Sequence, residues 1–381
     1  MSKKQKNVYV IGAGFFGLTI AECITRNQDL PVKVLEKRHR IGGNAASYFD
    51  PETKIEVHEY GTHVFHTSNK VVIDYITKFS EFTQYRHRVW SAHQNKLYEF
   101  PINLNTINKF FQTNFTSKEA EKFIRRRGSN EVFDKRNLEG KAISIIGKDL
   151  YDAFIRGYTE KQWQTDPKLL SSEIISRIPF SFDSYHDYFT DTFQGLPAHG
   201  YQKLFSKMTS NPLLSVFLNT DYFEIKDQIH PDDLVIYTGP LDKFFNYAYG
   251  ALGWRTLDFE KEILNVDSYQ NAPVINYPDL DVGFTRIHEF KHLHPERDYT
   301  REQTLIFKEY SRFAEVADES YYPIKSEENL LRLKRYRNAI KDVPNVIFGG
   351  RLGTYQYLDM DMAIASALTV YKNQVLPRLQ D

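Results

Sequence analysis

The sequence predicts a mixed α/β fold with three units: a discontinuous Rossmann-like α/β domain, an inserted helical domain and an antiparallel β-sheet domain. Three observations predict it. A glycine-rich turn joins an apolar strand to an apolar helix near the N-terminus, helical periodicity prevails between residues 102 and 163, and short β-like runs return after about residue 181. The expected α/β domain comprises 1–85, 213–255 and 343–381, the helical domain 100–180, and the sheet domain 181–212 and 256–342.

The first strand runs from Val8 to Ile11, and its apolar sequence is typical of a strand buried in a parallel sheet. A helix from Phe15 to Arg26 follows it. The turn between them contains Gly12, Gly14 and Gly17. These glycines permit a tight turn, close approach of the backbone to a pyrophosphate, and close packing of the helix on the strand. Because the helix would point its first amides and positive dipole end at the phosphates, the turn predicts a dinucleotide site.

A second strand, from Val32 to Glu36, ends on the acid that such a site needs. Glu36 lies 22 positions after Gly14, where its carboxylate can accept both hydroxyls of an adenosine ribose. The sequence Arg40-x-Gly42-Gly43-Asn44 follows directly and resembles an extension found in flavoproteins of the glutathione-reductase type. A second glycine pair lets another backbone segment pass close to an extended cofactor. These features favour FAD over NAD.

The later elements follow in order. The run from Lys54 to Tyr60 predicts a further strand that ends at Gly61. Helical spacing continues through INLNTINKFF, SKEAEKFIRRR and the segment from Glu139 to Tyr158. The runs that predict an antiparallel sheet are LSVFL, VIY, PVIN, GFTRIHEF and QTLIFKEY. DLVIYTG predicts a buried strand that returns to the α/β domain, and the C-terminal segment predicts a strand, a glycine turn and a helix that begins near Asp359.

The composition excludes several classes of protein. Lys plus Arg equals Asp plus Glu, 49 against 49, so no overall field attracts nucleic acid or an anionic membrane. No run of 18 apolar residues and no signal peptide is present, which predicts a cytoplasmic protein without membrane insertion. The only cysteine, Cys23, lies in the first helix as a small apolar residue, so no disulfide forms within one chain.

Seven segments, in a consistent order along nearly the whole chain, carry a more specific signal: EKRHRIGGNA, YGTHVFHT, FPINLNTIN, GYTEKQW, FTRIHEFKH, SYYPI and GRLGTYQYLDMD. Together they resemble the bacterial UDP-galactopyranose mutase family. The resemblance implies an isomerase that interconverts UDP-galactopyranose and UDP-galactofuranose without net redox change. It also implies FAD that is active when reduced, with N5 of the flavin forming a covalent adduct with the sugar.

The resemblance implies that Arg177, Arg286 and His63 are catalytic. Stabilising a departing UDP requires cations and phenols, and the planar fork of arginine suits phosphate oxygens. Arg177 lies in a segment, about 164–180, that is a mobile loop in the family, and His63 lies beside the flavin. The residues alone leave other interpretations open, since Arg177 could lie on a solvated helix and Arg286 on the polar face of a strand.

The other site residues are also implied by the resemblance. Those expected to contact substrate are His87, Phe154, Tyr158, Thr159, Trp163, Tyr188, Asn276, Glu309, Tyr322 and Tyr357. Those expected to contact FAD are Gly12, Gly14, Phe16, Gly17, Glu36, Lys37, Gly43, Asn44, Gly61, Thr62, His63, Val64, Arg351, Asp359 and Met360.

Some of these residues have simpler interpretations. Tyr158, Thr159 and Trp163 could be helical core residues, and Glu309 could pair on the surface with Lys308 or Arg312.

Asp359 could act only as a helix N-cap. His63 and His66 have the spacing of a metal-binding pair, but no third ligand follows at suitable spacing, so no metal is expected.

Two departures from the family pattern leave the exact sugar open. His87 stands where asparagine is usual, and Thr62 where alanine or proline is common. The alternatives are a UDP-N-acetylgalactosamine mutase with the same mechanism, a flavin oxidoreductase that shares the FAD domain, and a non-catalytic nucleotide-sugar-binding or FAD-dependent assembly protein. No second glycine-rich fingerprint provides a resident NAD(P)H domain, so we expect an external reductant such as NAD(P)H or a reductase. The family also implies a homodimer.

Overall fold

The computed structural model describes residues 7–128 and 134–380, except for the side chain of Arg177. Its strands are β1 (Val8–Ile11), β2 (Val32–Leu35), β3 (Ser47–Phe49), β4 (Glu56–His58), β5 (Phe65–Thr67), β6 (Val89–His93), β7 (Lys96–Phe100), β8 (Phe193–Gly195), β9 (Leu214–Phe217), β10 (Leu234–Tyr237), β11 (Trp254–Leu264), β12 (Val274–Asn276), β13 (Arg286–Glu289), β14 (Thr304–Phe313), β15 (Tyr322–Pro323) and β16 (Val346–Phe348).

Its helices are α1 (Phe15–Gln28), α2 (Lys70–Ile76), α3 (Leu104–Phe111), α4 (Ser117–Gly128), α5 (Leu138–Ile146), α6 (Lys148–Leu150), α7 (Gly157–Trp163), α8 (Gly200–Met208), α9 (Tyr222–Ile225), α10 (Leu241–Phe244), α11 (Glu327–Ala339), α12 (Gly350–Thr354), α13 (Met360–Val370) and α14 (Leu376–Gln380). Among the described residues, no helix combines the length and apolar character needed to cross a membrane.

A five-stranded parallel sheet forms the α/β unit, in the order β16-β10-β1-β2-β9. Its strands come from three distant parts of the chain, and the central strands β1 and β10 are apolar runs that are buried almost completely. At its centre, Val10 lies opposite Val34 and Ile236, and all three side chains are fully buried. The mixed α/β class is therefore confirmed. LSVFL and VIY, which the sequence analysis counted with the antiparallel runs, lie in this sheet as β9 and β10.

Helices cover this sheet and fix the edge that carries the site. α1 packs against α13 and α8, and buries Leu18, Ile20 and Ile24 completely. The carboxyl ends of β1, β2 and β10 meet at one edge, where Gly12 donates its N–H to the carbonyl of Leu35. In open α/β sheets, ligands bind at this edge.

A seven-stranded sheet forms the second layer, in the order β15-β11-β14-β13-β12-β6-β7. All its pairs are antiparallel except β6 with β12, so the expectation of a purely antiparallel sheet is wrong at that pair. The sheet carries three of the expected substrate residues, Asn276, Glu309 and Tyr322, and the expected catalytic residue Arg286. The segment 181–212 adds no strand to it. Instead, β8 pairs with β5, and α8 packs on α1.

The third unit is helical and packs on the β6–β7 hairpin. Its core includes Phe154, whose ring contacts Tyr98 and Phe110 at centroid distances of 5.0 and 5.6 Å. The segment from Glu139 to Tyr158, which has helical spacing in the sequence, is helical but is interrupted at Gly147, which has φ +78°. A π-helical turn, Tyr151–Arg156, then leads into α7. The break lets α7 turn towards β14, against which it packs.

A buried carboxylate anchors the end of β13, the strand that begins with Arg286. Glu289 is 0% exposed and accepts hydrogen bonds from the Tyr269 and Gln270 N–H groups, both at 2.8 Å, and from the Thr304 hydroxyl at 2.7 Å. Burial alone would raise the pKa of this carboxyl, but these bonds together with one from His292 lower it to about 2.

We predict that Glu289→Gln lowers the free energy of unfolding by about 2–4 kcal/mol at pH 7, because the amide places N–H groups against the existing donors. The folded pKa lies below the ordinary value of 4.5, so this stabilisation is present above pH 4.5 and is lost as the pH falls towards 2. Urea unfolding of both proteins should therefore show a difference that shrinks with acidification. The exposed Glu327→Gln should change stability by less than about 0.5 kcal/mol, and an equal loss in both variants would contradict this role.

Candidate active site

The glycine-rich turn forms a cradle that only glycines can build. Gly12 has φ +102°, and a Cβ there would lie 2.2 Å from Thr238 Oγ1. A Cβ on Gly17 would lie 2.2 Å from the carbonyl oxygen of Gly12, so α1 packs directly on the turn. Gly43, with φ +58°, brings the second glycine segment against Gly14. A Cβ on Gly43 would lie 3.1 Å from the Gly14 Cα. The two segments line one cavity of about 370 Å³.

The charges at this cavity suit an adenine dinucleotide. Gly14 is the N-cap of α1 and supplies no side chain to occupy the first amides of the helix. Glu36 is buried at the end of β2, and accepts the Ala13 N–H at 2.8 Å and the Arg38 N–H at 2.9 Å. Each carboxylate oxygen keeps a further lone pair for a ribose hydroxyl. The residues present therefore fit the expected cofactor.

The structure places most of the expected cofactor residues on this cavity. Those that line it are Gly12, Gly14, Phe16, Glu36, Lys37, Gly43, Asn44, His63, Arg351, Asp359 and Met360. Gly17, Gly61, Thr62 and Val64 lie outside its lining. Asp359 occupies the N-cap position of α13 but makes no capping hydrogen bond through its side chain, so the interpretation that it is only a cap is not supported.

Sequence reasoning missed Arg38 and Thr238, which also line the cavity. Arg38 lies over the Tyr60 ring, with 4.3 Å between the guanidinium carbon and the ring centroid, and pairs with Glu319 at 2.5 Å. Arg38 lies only two residues after Glu36, so the sequence could have predicted that it lines the same cavity. The position of Thr238 at the end of β10 had no such signal, because it depends on the parallel pairing with β1.

A second group of polar side chains surrounds Arg286 at the start of β13. The Arg286 guanidinium donates a hydrogen bond to the Tyr158 hydroxyl and lies 3.5 Å from a Glu309 carboxylate oxygen. Burial opposes the charge, but Glu309 and Tyr158 outweigh it and hold the pKa of Arg286 well above its ordinary value. The site therefore contains a permanent cation next to a phenol.

Glu309 connects this cation to the loop expected to contact the cofactor. The Glu309 carboxylate accepts a hydrogen bond from His288 Nε2 at 3.0 Å, and the other ring nitrogen lies 2.8 Å from the Thr62 hydroxyl. Burial lowers the pKa of His288, whereas Arg286 and His288 overcome burial to lower the pKa of Glu309. A neutral His288 therefore donates to an ionised Glu309 and accepts from Thr62.

The surface interpretation of Glu309 is wrong, because this residue is only 3% exposed. Its neighbours on β14 have other partners: Lys308 pairs with Glu262, and Arg312 with Asp258 and Asp318. Alternation of side chains along β14 sends Glu309 inward and these two cations outward.

Further phenols converge on the same space. The rings of Tyr322 and Tyr357 stack with centroids 5.8 Å apart, and the Arg351 guanidinium lies 4.8 Å from the Tyr357 centroid. Burial raises the pKa values of Tyr158, Tyr322 and Tyr357 above the ordinary value. These hydroxyls therefore stay protonated, and the Tyr357 hydroxyl also interacts with the Asp359 carboxylate. Protonated phenols are donors of the kind that suits an anion.

The two expected site histidines are neutral. Burial lowers the pKa of His63 to about 4, and its Nδ1 lies 2.7 Å from the Gly61 carbonyl, which leaves Nε2 as an acceptor. Burial lowers the pKa of His87 to about 3, and its Nδ1 lies 3.0 Å from the Tyr85 hydroxyl. Tyr188 is held beside His87 by its N–H, which donates to the His87 carbonyl at 2.7 Å.

Five expected site residues remain, four that were expected to contact substrate and the expected catalytic residue Arg177. Thr159 is buried and Trp163 half-buried on α7, and Asn276 is buried with a side-chain oxygen that has no protein partner. Phe154 makes the ring contacts of a core residue, described above. The backbone of Arg177 ends a short 3₁₀ turn, Ile175–Arg177, while its side chain lies outside the described part of the chain.

A buried arginine that the sequence analysis did not single out holds the end of α7. Arg255 is 0% exposed and donates hydrogen bonds, each 3.1 Å long, to the Gln162 carbonyl, the Gln164 side chain and the Ser311 hydroxyl. Burial, and then repulsion by Arg312, lowers its pKa to about 10, so it remains charged at neutral pH. A cation there also complements the negative end of the helix dipole.

Comparison with known proteins finds relatives along nearly the whole chain. A family model described as UDP-galactopyranose mutase matches residues 153–357, and one described as an NAD(P)-binding Rossmann-like domain matches residues 10–79. The chain is 40% identical over 366 residues to a "Probable UDP-galactopyranose mutase" of Klebsiella pneumoniae, covering 96% of this chain and 93% of that protein. It is 35% identical over 368 residues to the dTDP-fucopyranose mutase of Escherichia coli, covering 96% and 97%.

Solved structures give the same fold. A crystal structure of reduced UDP-galactopyranose mutase matches with a TM-score of 0.75 at 14% identity, covering 100% of this chain and 95% of that chain. A putrescine oxidase matches with a TM-score of 0.56 at 12% identity, covering 98% and 99%. At such low identity, these matches concern the fold alone.

We predict that Gly43→Ala weakens flavin binding by about tenfold, since alanine resists the left-handed conformation by about 1–2 kcal/mol and its methyl group meets Gly14. The flavin absorbance per protein after extensive dialysis measures the effect. Gly283→Ala is the matched control, because a Cβ there makes only an ordinary contact of 3.8 Å with Tyr310. Equal flavin retention in the two variants would show that the cradle does not hold the cofactor.

Proposed function

We propose that this chain, which belongs to the UDP-galactopyranose mutase family, interconverts UDP-galactopyranose and UDP-galactofuranose without net redox change. The observation that carries the proposal is the Arg286–Tyr158 contact, which presents a permanent cation and a protonated phenol. Arg286 also interacts with Tyr322, which stacks on Tyr357 beside the cavity-lining Arg351. Such donors stabilise the charge that develops on a departing diphosphate. The members of this family are isomerases.

The cofactor in this proposal is FAD, held by the two glycine segments and Glu36. When bound and reduced, FAD supplies the nucleophile for the anomeric carbon. His63 would face it with a neutral imidazole whose Nε2 accepts a hydrogen bond. An external reductant, such as NAD(P)H or a reductase, would keep the cofactor in its reduced state.

The chain's own residues would bind and orient the nucleotide sugar. Arg286 and Tyr158 would hold the diphosphate, with further hydrogen bonds from the phenols of Tyr322 and Tyr357. Arg177, as a second cation from the loop 164–180, would complete the charge balance of a diphosphate with two negative charges. Glu309 is already bonded to His288, so we assign it the task of orienting Arg286 and not proton transfer.

A second candidate substrate is another nucleotide-linked hexose. The relative in Escherichia coli, 35% identical over nearly the whole chain, is a dTDP-fucopyranose mutase, so this degree of similarity is compatible with a different base and sugar. A UDP-N-acetylgalactosamine substrate remains the third candidate. A diphosphate is common to all three, and it is the part of the substrate that Arg286 and Tyr158 would bind.

We predict that Arg286→Ala lowers kcat/KM by about 100-fold or more, because the leaving group loses a charged donor, and that bound flavin stays unchanged. The assay follows conversion of UDP-galactofuranose to the pyranose isomer by dithionite-reduced protein, with oxidised protein as a blank. Arg332→Ala, which removes a partly exposed cation paired with Glu328, is the matched control and should retain full activity.

Parallel assays with dTDP-fucose and UDP-N-acetylgalactosamine identify the preferred substrate. Equal activity of Arg286→Ala and wild type would remove the proposed role of this arginine. Isomerisation by oxidised protein alone would exclude the proposed chemistry.

A further inference from the structure

A lysine on the substrate helix α7 makes an unusual set of contacts. The Lys161 ammonium donates to four backbone carbonyls, those of Tyr277 at 2.5 Å, Asp279 at 2.8 Å, Val282 at 2.9 Å and Phe284 at 3.0 Å. All four belong to the turn 277–285, which joins β12 to β13. Burial lowers the pKa of Lys161 to about 8, and the Asp279 and Asp281 carboxylates of the same turn favour its charge. Its hydrogen bonds, however, go to backbone carbonyls.

The ammonium bonds carbonyls from both halves of that turn, Tyr277 and Asp279 before its tip and Val282 and Phe284 after it. Its three N–H groups make four bonds, so at least one N–H is shared by two carbonyls. The turn closes with the Tyr277 N–H donating to the Thr285 carbonyl at 2.9 Å. At the start of α7, a Cβ on Gly157 would lie 2.3 Å from the Pro278 carbonyl oxygen, so helix and turn are in backbone contact.

The turn leads directly into the candidate active site. It begins after Asn276 and ends just before Arg286, so its position sets the start of β13. Tyr158 precedes Lys161 by three residues and therefore lies on the same face of α7. α7 thus meets the β12–β13 hairpin at three points: through Gly157 at Pro278, through Tyr158 at Arg286 and through Lys161 at the turn carbonyls.

We propose that Lys161 is a positioning residue that sets the Tyr158–Arg286 contact by clamping the 277–285 turn to α7. The proposal rests on the proposed function, in which that contact holds the nucleotide diphosphate. Lys161 does not itself contact the substrate in this arrangement. Arg255 independently holds the C-terminal end of α7 through Gln162 and Gln164, so the helix keeps one anchor when Lys161 is replaced.

The test uses flavin-loaded full-length protein and the variant Lys161→Met, which keeps the aliphatic stem and removes the ammonium. We expect the Kd for UDP and the KM for the UDP-sugar to rise about tenfold or more, with a smaller change in kcat and with unchanged flavin per protein. Arg156→Met is the matched control, since Arg156 is an exposed cation just before α7 that pairs with Glu160. It should leave both constants unchanged.

A double-mutant cycle separates positioning from general structural support. If Lys161 acts through the Tyr158–Arg286 contact, Lys161→Met and Tyr158→Phe together should weaken UDP binding no more than the stronger single change. Lys161→Arg, which keeps the charge and several donors, should recover part of the affinity. Should Lys161→Met not fold, Lys161→Gln takes its place in the same cycle, with the same expectation.

Three outcomes would overturn the proposal. Unchanged Kd and KM in Lys161→Met, or fully additive losses in the cycle, would remove the positioning role while leaving the proposed function intact. Wild-type protein that neither binds UDP nor isomerises UDP-galactose would overturn the proposed function, and the role of Lys161 with it.

Discussion

The structure depends on one buried chain of polar contacts that runs from the cofactor loop to the substrate helix. Thr62 bonds His288, His288 bonds Glu309, Glu309 pairs with Arg286, and Arg286 bonds Tyr158. His288 and Glu309 are buried, and Thr62, Arg286 and Tyr158 are partly buried. Loss of one member would therefore leave a buried charge or donor uncompensated. The chain therefore fixes three separate structural units relative to one another. A cation held in this way is already oriented for a diphosphate. Its side chain would need to move little when negative charge develops on the departing group.

Burial determines which groups of the site are charged near pH 7, because it changes their pKa values. Desolvation lowers the pKa values of His63 and His87 and raises those of the surrounding phenols, so these groups stay neutral near pH 7. The Arg286 charge is retained because Glu309 and Tyr158 outweigh the same desolvation. The site thus combines a fixed cation with neutral donors, an arrangement that suits charge stabilisation better than proton transfer by a carboxylate pair.

The fold itself leaves the chemistry open, because oxidases and mutases share it. The side chains on which the proposed chemistry depends, Arg286 and Glu309 on the second sheet and Tyr158 on α7, are not part of the glycine-rich cradle. Two cations, Lys161 and Arg255, hold α7 at the 277–285 turn and at its C-terminal end.

The sequence by itself determined the fold class, the strand–turn–helix cradle and the family. These depend on local spacing: Gly12, Gly14 and the acid at Glu36 lie within one βαβ unit, and strand and helix periodicity located β1, α1 and α13 closely. Tertiary structure alone decided that Glu309 is buried, that β8 and α8 pack with β5 and α1, and that Thr238, Lys161 and Arg255 matter. Their contacts join residues about 90 to 230 positions apart or depend on which face of a strand turns inward. Local periodicity carries no information about such partners, because only the packing of sheets and helices brings them together.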